Sequence, residues 1–144
     1  MKIVLDTTIL VRANEHSHGL ARELLVRIID GEHRLVLSNE MLHELASVLR
    51  YPRLQAFYGL SESLVYDYVS LLRHSSEIVA LNPALMVPIR DVNDVIVMQT
   101  AIIAEADILC TNDEDFFETP AVEYLQRTGI AVMDDIALMQ RLRL

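Results

Sequence analysis

Asp6, Glu44, Asp94 and Asp113 are spaced so that each falls near a point where a strand of an α/β chain would hand over to a loop or helix. Carboxylates gathered at one sheet edge do nothing for a fold by themselves. Two unit charges about 5 Å apart repel by roughly 3 kcal/mol at an effective dielectric of about 20. Four of them at one edge therefore point to a divalent cation, and hard carboxylate oxygens suit Mg2+ or Mn2+.

Each acid also has a plainer use. Asp6 can cap a turn together with Thr7 and Thr8, and Glu44 can be a rim charge. Asp94 can serve as an acid in a helix first turn, where the dipole favours it. Yet Asp94 shares a helical face with Val97, Met98 and Ala101, so its side chain is expected to point inward. Glu44 flanks an apolar stripe of Met41, Leu42, Leu45, Val48 and Leu49. Asp115 equals Asp113 by chemistry alone. With a strand ending near Thr111, Asn112 is expected to turn the chain and leave Asp113 nearest Asp6. Phe116 and Phe117 should then draw Asp115 away, to cap the turn before Thr119-Pro120.

The elements that must position these groups alternate in type. KIVL (2–5), RLVLS (34–38), EIVAL (77–81), DILCT (107–111) and IAVM (130–133) are short apolar runs, as buried parallel strands require. Helical periodicity marks 18–30, stopped by Gly31, and 39–49, capped by Asn39 and ended by Tyr51-Pro52. Further helices are expected over 61–74, 92–105, 119–128 and 135–142. This order predicts an α/β fold, a parallel five-stranded sheet with helices on both faces. With strand order 3-2-1-4-5, Asp6 and Asp113 would flank the switch point, where such sheets bind ligands.

The 144 residues suffice for one domain, 1–144, and 52% of them are apolar, which excludes disorder. No uncharged apolar run approaches the 18 or so residues of a membrane helix. MKIVLDTT is too short in its apolar part for a signal peptide, so a cytoplasmic protein is expected. Cys110, the single cysteine, lies in an apolar run and reads as a buried structural thiol. The net charge of −9 and a single lysine, Lys2, exclude binding of nucleic acid by bulk charge. A polyanion would have to be held by metal and a few arginines, for which Arg12, Arg50 and Arg53 are candidates. Ser38 and Thr111 place hydroxyls at strand tips, for capping or for contact with a metal-bound water or phosphate. None of the five histidines shows zinc-ligand spacing.

Other functions on similar folds are poorly served. A phosphoacceptor domain needs an acid at the third strand's end and a lysine at the fifth, where this chain has Leu81-Asn82 and no lysine. A haloacid-type phosphatase needs a second Asp where Thr8 stands, and the four isolated glycines exclude a phosphate-cradling loop.

VLDTTIL (4–10), SNEMLHEL (38–45), DVNDVIVMQTA (91–101) and ADILCTNDEDF (106–116) together resemble a PIN domain over residues 2–134. The resemblance implies a three-layer αβα sandwich and a metal-dependent ribonuclease whose acidic quartet maps to Asp6, Glu44, Asp94 and Asp113. It further implies a homodimer acting on RNA, and the toxin of a toxin–antitoxin pair restrained by a small antitoxin. A housekeeping RNA-processing nuclease or a non-catalytic interaction module stays open. The apolar helix carrying Leu64, Val65, Tyr68, Leu71 and Leu72 is a candidate dimer surface. The chain departs from the family at Thr8, where Asn is frequent, and at Asn112, where Gly is frequent. Asn tolerates the left-handed conformation that Gly would take there.

A carboxylate quartet makes metal a ligand of the native state alone. Mg2+ or Mn2+ should therefore raise the melting temperature, by about 2.7 kcal/mol of stability at 100 times Kd. Differential scanning fluorimetry of the wild type and Asp94→Asn checks this. An equal rise in both would place the ion elsewhere.

Overall fold

KIVL has no polar break because the strand it forms, β1 (Lys2–Leu5), is covered on both sides, with Ile3, Val4 and Leu5 fully buried. A computed structural model describes residues 1–143. β1 lies between β2 (Arg34–Ser38) and β4 (Ile108–Cys110), with β3 (Ser76–Val79) outside β2 and β5 (Ala131–Met133) outside β4. All pairings are parallel and the order is β3-β2-β1-β4-β5. Ile3 is in register with Leu35 and Ile108, and Leu5 with Cys110. The expected sheet and its order are therefore present.

The helices are α1 (Thr7–Arg12), α2 (Leu20–Asp30), α3 (Asn39–Leu49), α4 (Pro52–Tyr58), α5 (Glu62–Ser75), α6 (Val92–Ile103), α7 (Ala121–Arg127) and α8 (Asp135–Leu142). A 3-10 turn, Glu114–Phe117, precedes α7. They flank the sheet: α2 packs on α8, while α3 touches α1, α5 and α6. Tyr68 of α5 is buried, and its hydroxyl donates to the Leu10 carbonyl at 2.6 Å, tying α5 to α1. Among the described residues no helix is long and apolar enough to cross a membrane.

Several expectations are corrected. Residues 7–12 form a helix that the expected elements do not include. Their β-branched residues favour helix weakly, but Thr7, Ile9, Leu10 and Val11 are all buried, and packing overrides propensity. Pro52 opens α4 instead of only ending the helix before it, because proline's missing N–H is harmless in a first turn. Ser38, not Asn39, caps α3, accepting from the Met41 N–H at 3.3 Å. The helix expected over 119–128 shortens to α7, and β3 ends at Val79.

Two helices enter their strands by the same turn. At the end of α6, Glu105 takes φ +52° and the Ala106 N–H donates to the Ala101 carbonyl at 3.0 Å. At the end of α7, Gly129 takes φ +82° and the Ile130 N–H donates to Leu125 at 2.9 Å. Only the second position carries the residue this conformation favours. Glu105→Gly should therefore stabilise the protein by about 1 kcal/mol, and Gly129→Ala should destabilise it by about as much. Urea unfolding midpoints moving in the same direction would contradict this.

Candidate active site

Asp6 is fixed by backbone before its side chain makes any contact. Its N–H donates to the Cys110 carbonyl at 2.9 Å, extending the β1–β4 ladder, and its carbonyl accepts from Ile9 and Leu10 to start α1. The carboxylate is buried, 5% exposed, and accepts from the Thr111 hydroxyl at 2.7 Å. Thr111 Oγ1 in turn accepts from the Asp113 N–H at 3.0 Å, so one hydroxyl joins the tips of both central strands. Burial raises the Asp6 pKa above the usual carboxylate value. Thr111 and the Thr7 and Thr8 N–H groups pull it back, and the Asp113 charge pushes it up.

Asp94 enters from α6. Asp91 caps that helix, its Oδ1 accepting from the N–H groups of Asn93 at 2.9 Å and Asp94 at 3.3 Å. Asp94 itself is 8% exposed. Its pKa is pushed up to about 7, first by burial and then by the charges of Asp113, Asp6, Asp91 and Asp115. Asp113 caps the 3-10 turn, accepting from the Asp115 N–H at 3.0 Å. That tight turn brings Asp115 back toward the site. Carboxylate oxygens of Asp94, Asp113 and Asp115 lie within 4.8 Å of one another.

Glu44 reaches the same place from α3, half-buried, and accepts from the Asn93 side-chain amide at 3.2 Å. Asp6, Glu44, Asp94, Asp113 and Asp115 all line one cavity of about 250 Å3. A larger hollow of about 490 Å3, bordered by Arg90, Glu118 and Pro120, opens beside it and shares Asp115. The four acids expected from spacing thus line one cavity, although Asp6 and Glu44 stand outside the tight trio.

Asp115 was expected to cap a turn away from the site. Asp113 does the capping instead, because the chain winds into a 3-10 turn directly after it. Its two-residue spacing from Asp113 was the available signal, since such a turn folds Asp-x-Asp back on itself. Asp91 and Asn93 were also missed as contributors, one shaping the entry of α6 and the other holding Glu44. Ser38 is fully buried beneath, hydrogen-bonded hydroxyl to hydroxyl with Thr100 at 2.9 Å. Asn112 does not take a left-handed conformation; its amide oxygen accepts from the Asp135 N–H at 3.4 Å. Arg50 is paired with Glu62 at 2.9 Å, Arg12 faces Asp135 at 3.4 Å, and Arg53 is exposed on α4. Cys110 is buried, and burial pushes its thiol far above the ordinary range.

The donor set tests the metal expectation. Close, partly buried carboxylate oxygens, one of them driven toward protonation by burial and by its neighbours' charges, suit a hard divalent cation such as Mg2+ or Mn2+. Sulfur and imidazole take no part in the cluster.

A parallel 3-2-1-4-5 sheet with carboxylates collected at the tips of its central strands defines an acid-centred α/β domain. Residues 3–122 match the model of the PIN domain, and the chain belongs to that family. The fold is similar to that of a chain in the crystal structure of VapBC2 from Rickettsia felis bound to a DNA fragment from their promoter. The TM-score is 0.61 at 16% identity, covering 93% of this chain and 98% of that one. No curated protein matches the chain in sequence.

The raised Asp94 pKa has a stability consequence for the metal-free protein. Below about pH 4 the carboxyl is protonated in both folded and unfolded chains. Between about 4 and 7 the unfolded chain ionises while the folded one keeps its proton, so folding stability falls with rising pH and levels off above 7. Asp94→Asn removes this loss. In EDTA at pH 8 it should be more stable than the wild type by about 1–2 kcal/mol after solvent screening, an advantage absent near pH 4. Denaturant titrations at both pH values check this; a variant less stable at pH 8 would contradict it.

Proposed function

We propose that this protein is a Mg2+- or Mn2+-dependent ribonuclease that hydrolyses RNA phosphodiester bonds in the carboxylate-lined cavity. One observation carries the reading: Asp94, Asp113 and Asp115 oxygens lie within 4.8 Å of one another, in a cavity that Asp6 and Glu44 also line. Family membership agrees with it. Asp6, Glu44, Asp94 and Asp113 are the proposed metal-holding and catalytic residues, and Asp115 joins them on its proximity.

When bound, the metal supplies an acidified water and neutralises charge on the phosphoryl oxygens. The chain's own residues do the positioning. Thr111 holds Asp6 in one orientation and ties it to the Asp113 backbone. Asn93 fixes Glu44 at the cavity wall, where it can orient a water. Close packing around Asp6 and Asp94 limits access to the face that the cavity opens.

The biological setting we propose is the toxin half of a toxin–antitoxin pair, cytoplasmic, homodimeric and restrained by a small protein partner. Fold similarity to a chain of the VapBC2 structure supports it. Exposed Tyr66 and Leu71 on α5, at 70% and 39%, leave apolar surface for a second copy.

Purified protein should cleave single-stranded RNA in Mn2+ and not in EDTA. Asp6→Asn and Asp94→Asn should each lower the rate by at least about a hundredfold while remaining folded. Asp113→Asn and Asp115→Asn, measured side by side at saturating Mn2+, rank the two turn acids. Retained cleavage in both Asp6→Asn and Asp94→Asn would sink the assignment. Expression without a partner should arrest growth, and Asp6→Asn should relieve the arrest. Normal growth with active enzyme would favour an RNA-processing role, and folded protein without nuclease activity would favour an interaction module.

A further inference from the structure

We infer that Arg12 holds a phosphate flanking the scissile one, and that Asp135 is the positioning residue that aims its guanidinium. This rests on the ribonuclease reading.

Asp135 is 7% exposed, and its Oδ2 faces Arg12 Nη2 at 3.4 Å. It is not needed as a helix cap. Asp134 already caps α8, accepting from the Ala137 N–H at 2.8 Å. The second acid of the pair is therefore left to hold a cation, and a buried carboxylate without one would be strongly unfavourable. Its other oxygen accepts from the Ile136 N–H at 2.9 Å, which fixes the rotamer. Its backbone N–H meets the Asn112 amide oxygen at 3.4 Å, one residue before Asp113. Asp135 is thus anchored to the turn that carries the site's acids.

Arg12 lies at the other end of this link. It sits six residues after Asp6 on the helix that Asp6 begins, about 9 Å along the axis. Thr7, Thr8 and Val11 of the same helix line the carboxylate cavity. The Arg12 side chain is 45% exposed, and Asp135 is its one hydrogen-bond partner among the described residues. A guanidinium offers five N–H donors in a planar fork, so most of this one is presented to solvent. Arg50, by contrast, is engaged by Glu62 at 2.9 Å. In a chain of net charge −9, a tethered cation one residue beyond Val11, which lines the acidic cavity, offers a polyanionic strand an attractive contact as it approaches.

The test combines steady-state cleavage of a single-stranded RNA oligonucleotide in Mn2+ with its binding by fluorescence anisotropy across a salt series. Arg12→Ala should raise KM about tenfold, the size of one charge-assisted contact, and leave kcat within about threefold. It should also lower the salt dependence of binding by about 0.7 in the log–log slope. Arg12→Lys should keep that slope and recover part of the KM. Asp135→Asn should raise KM in the same direction, and adding it to Arg12→Ala should bring no further loss. The Mn2+-induced rise in melting temperature should be as in the wild type throughout. An unchanged salt slope in Arg12→Ala, or loss of kcat in step with melting temperature, would make Arg12 a structural staple and overturn the inference. If the wild type binds RNA with the Arg12-dependent slope but does not cleave it, the ribonuclease reading fails and the contact stands. If it binds no RNA, the contact fails too.

Discussion

Negative charges held close together in a partly buried place are the constraint on which the site depends. Burial and mutual repulsion both act against ionised Asp6 and Asp94, and the local structure is arranged to offset them. The Thr111 hydroxyl is given to Asp6 rather than to water. The Thr7 and Thr8 N–H groups at the start of α1 favour the ionised form of the same carboxylate. Asp91 takes the cap of α6, satisfying the backbone there and leaving the Asp94 carboxylate to turn into the cavity. Metal-free, the cluster is held together by the covalent chain and the core beneath it, not by attraction among its members.

That core explains why so few residues suffice. Placing β1 between β2 and β4 puts Asp6 at the switch point, with α3 and α6 descending from neighbouring positions and the 3-10 turn leaving the tip of β4. Acids distant in sequence arrive at one edge because strand order and right-handed crossovers leave them nowhere else to go. The Ser38–Thr100 hydroxyl pair, fully buried, joins the start of α3 to α6, the helices that carry Glu44 and Asp94.

Legibility in the sequence followed the range of the interactions involved. Strands covered on both faces announce themselves as unbroken apolar runs, and Asp94 could be placed from its helical face alone. What escaped notice depended on packing or on a few dihedral angles. Four of the six residues of α1 are β-branched, and the segment is helical because the fold buries it. Pro52 ends one helix and begins another, and nothing local decides between these uses. Asp115 belongs to the cluster only because four residues wind into a 3-10 turn. The Asn93–Glu44 bond joins residues 49 apart, and Arg12–Asp135 joins residues 123 apart. No periodicity reports such pairs.

The backbone beneath the cavity is held with two very different strengths. The Asp6 amide is a rung between the two central strands, and it can exchange its hydrogen only when β1 and β4 separate, which amounts to opening the sheet. The Asp115 amide is closed by a single bond to the side chain of Asp113 at an exposed turn. It can open while the rest of the molecule stays intact. One part of the cavity's lining therefore has the lifetime of the whole fold, and another part only that of a turn.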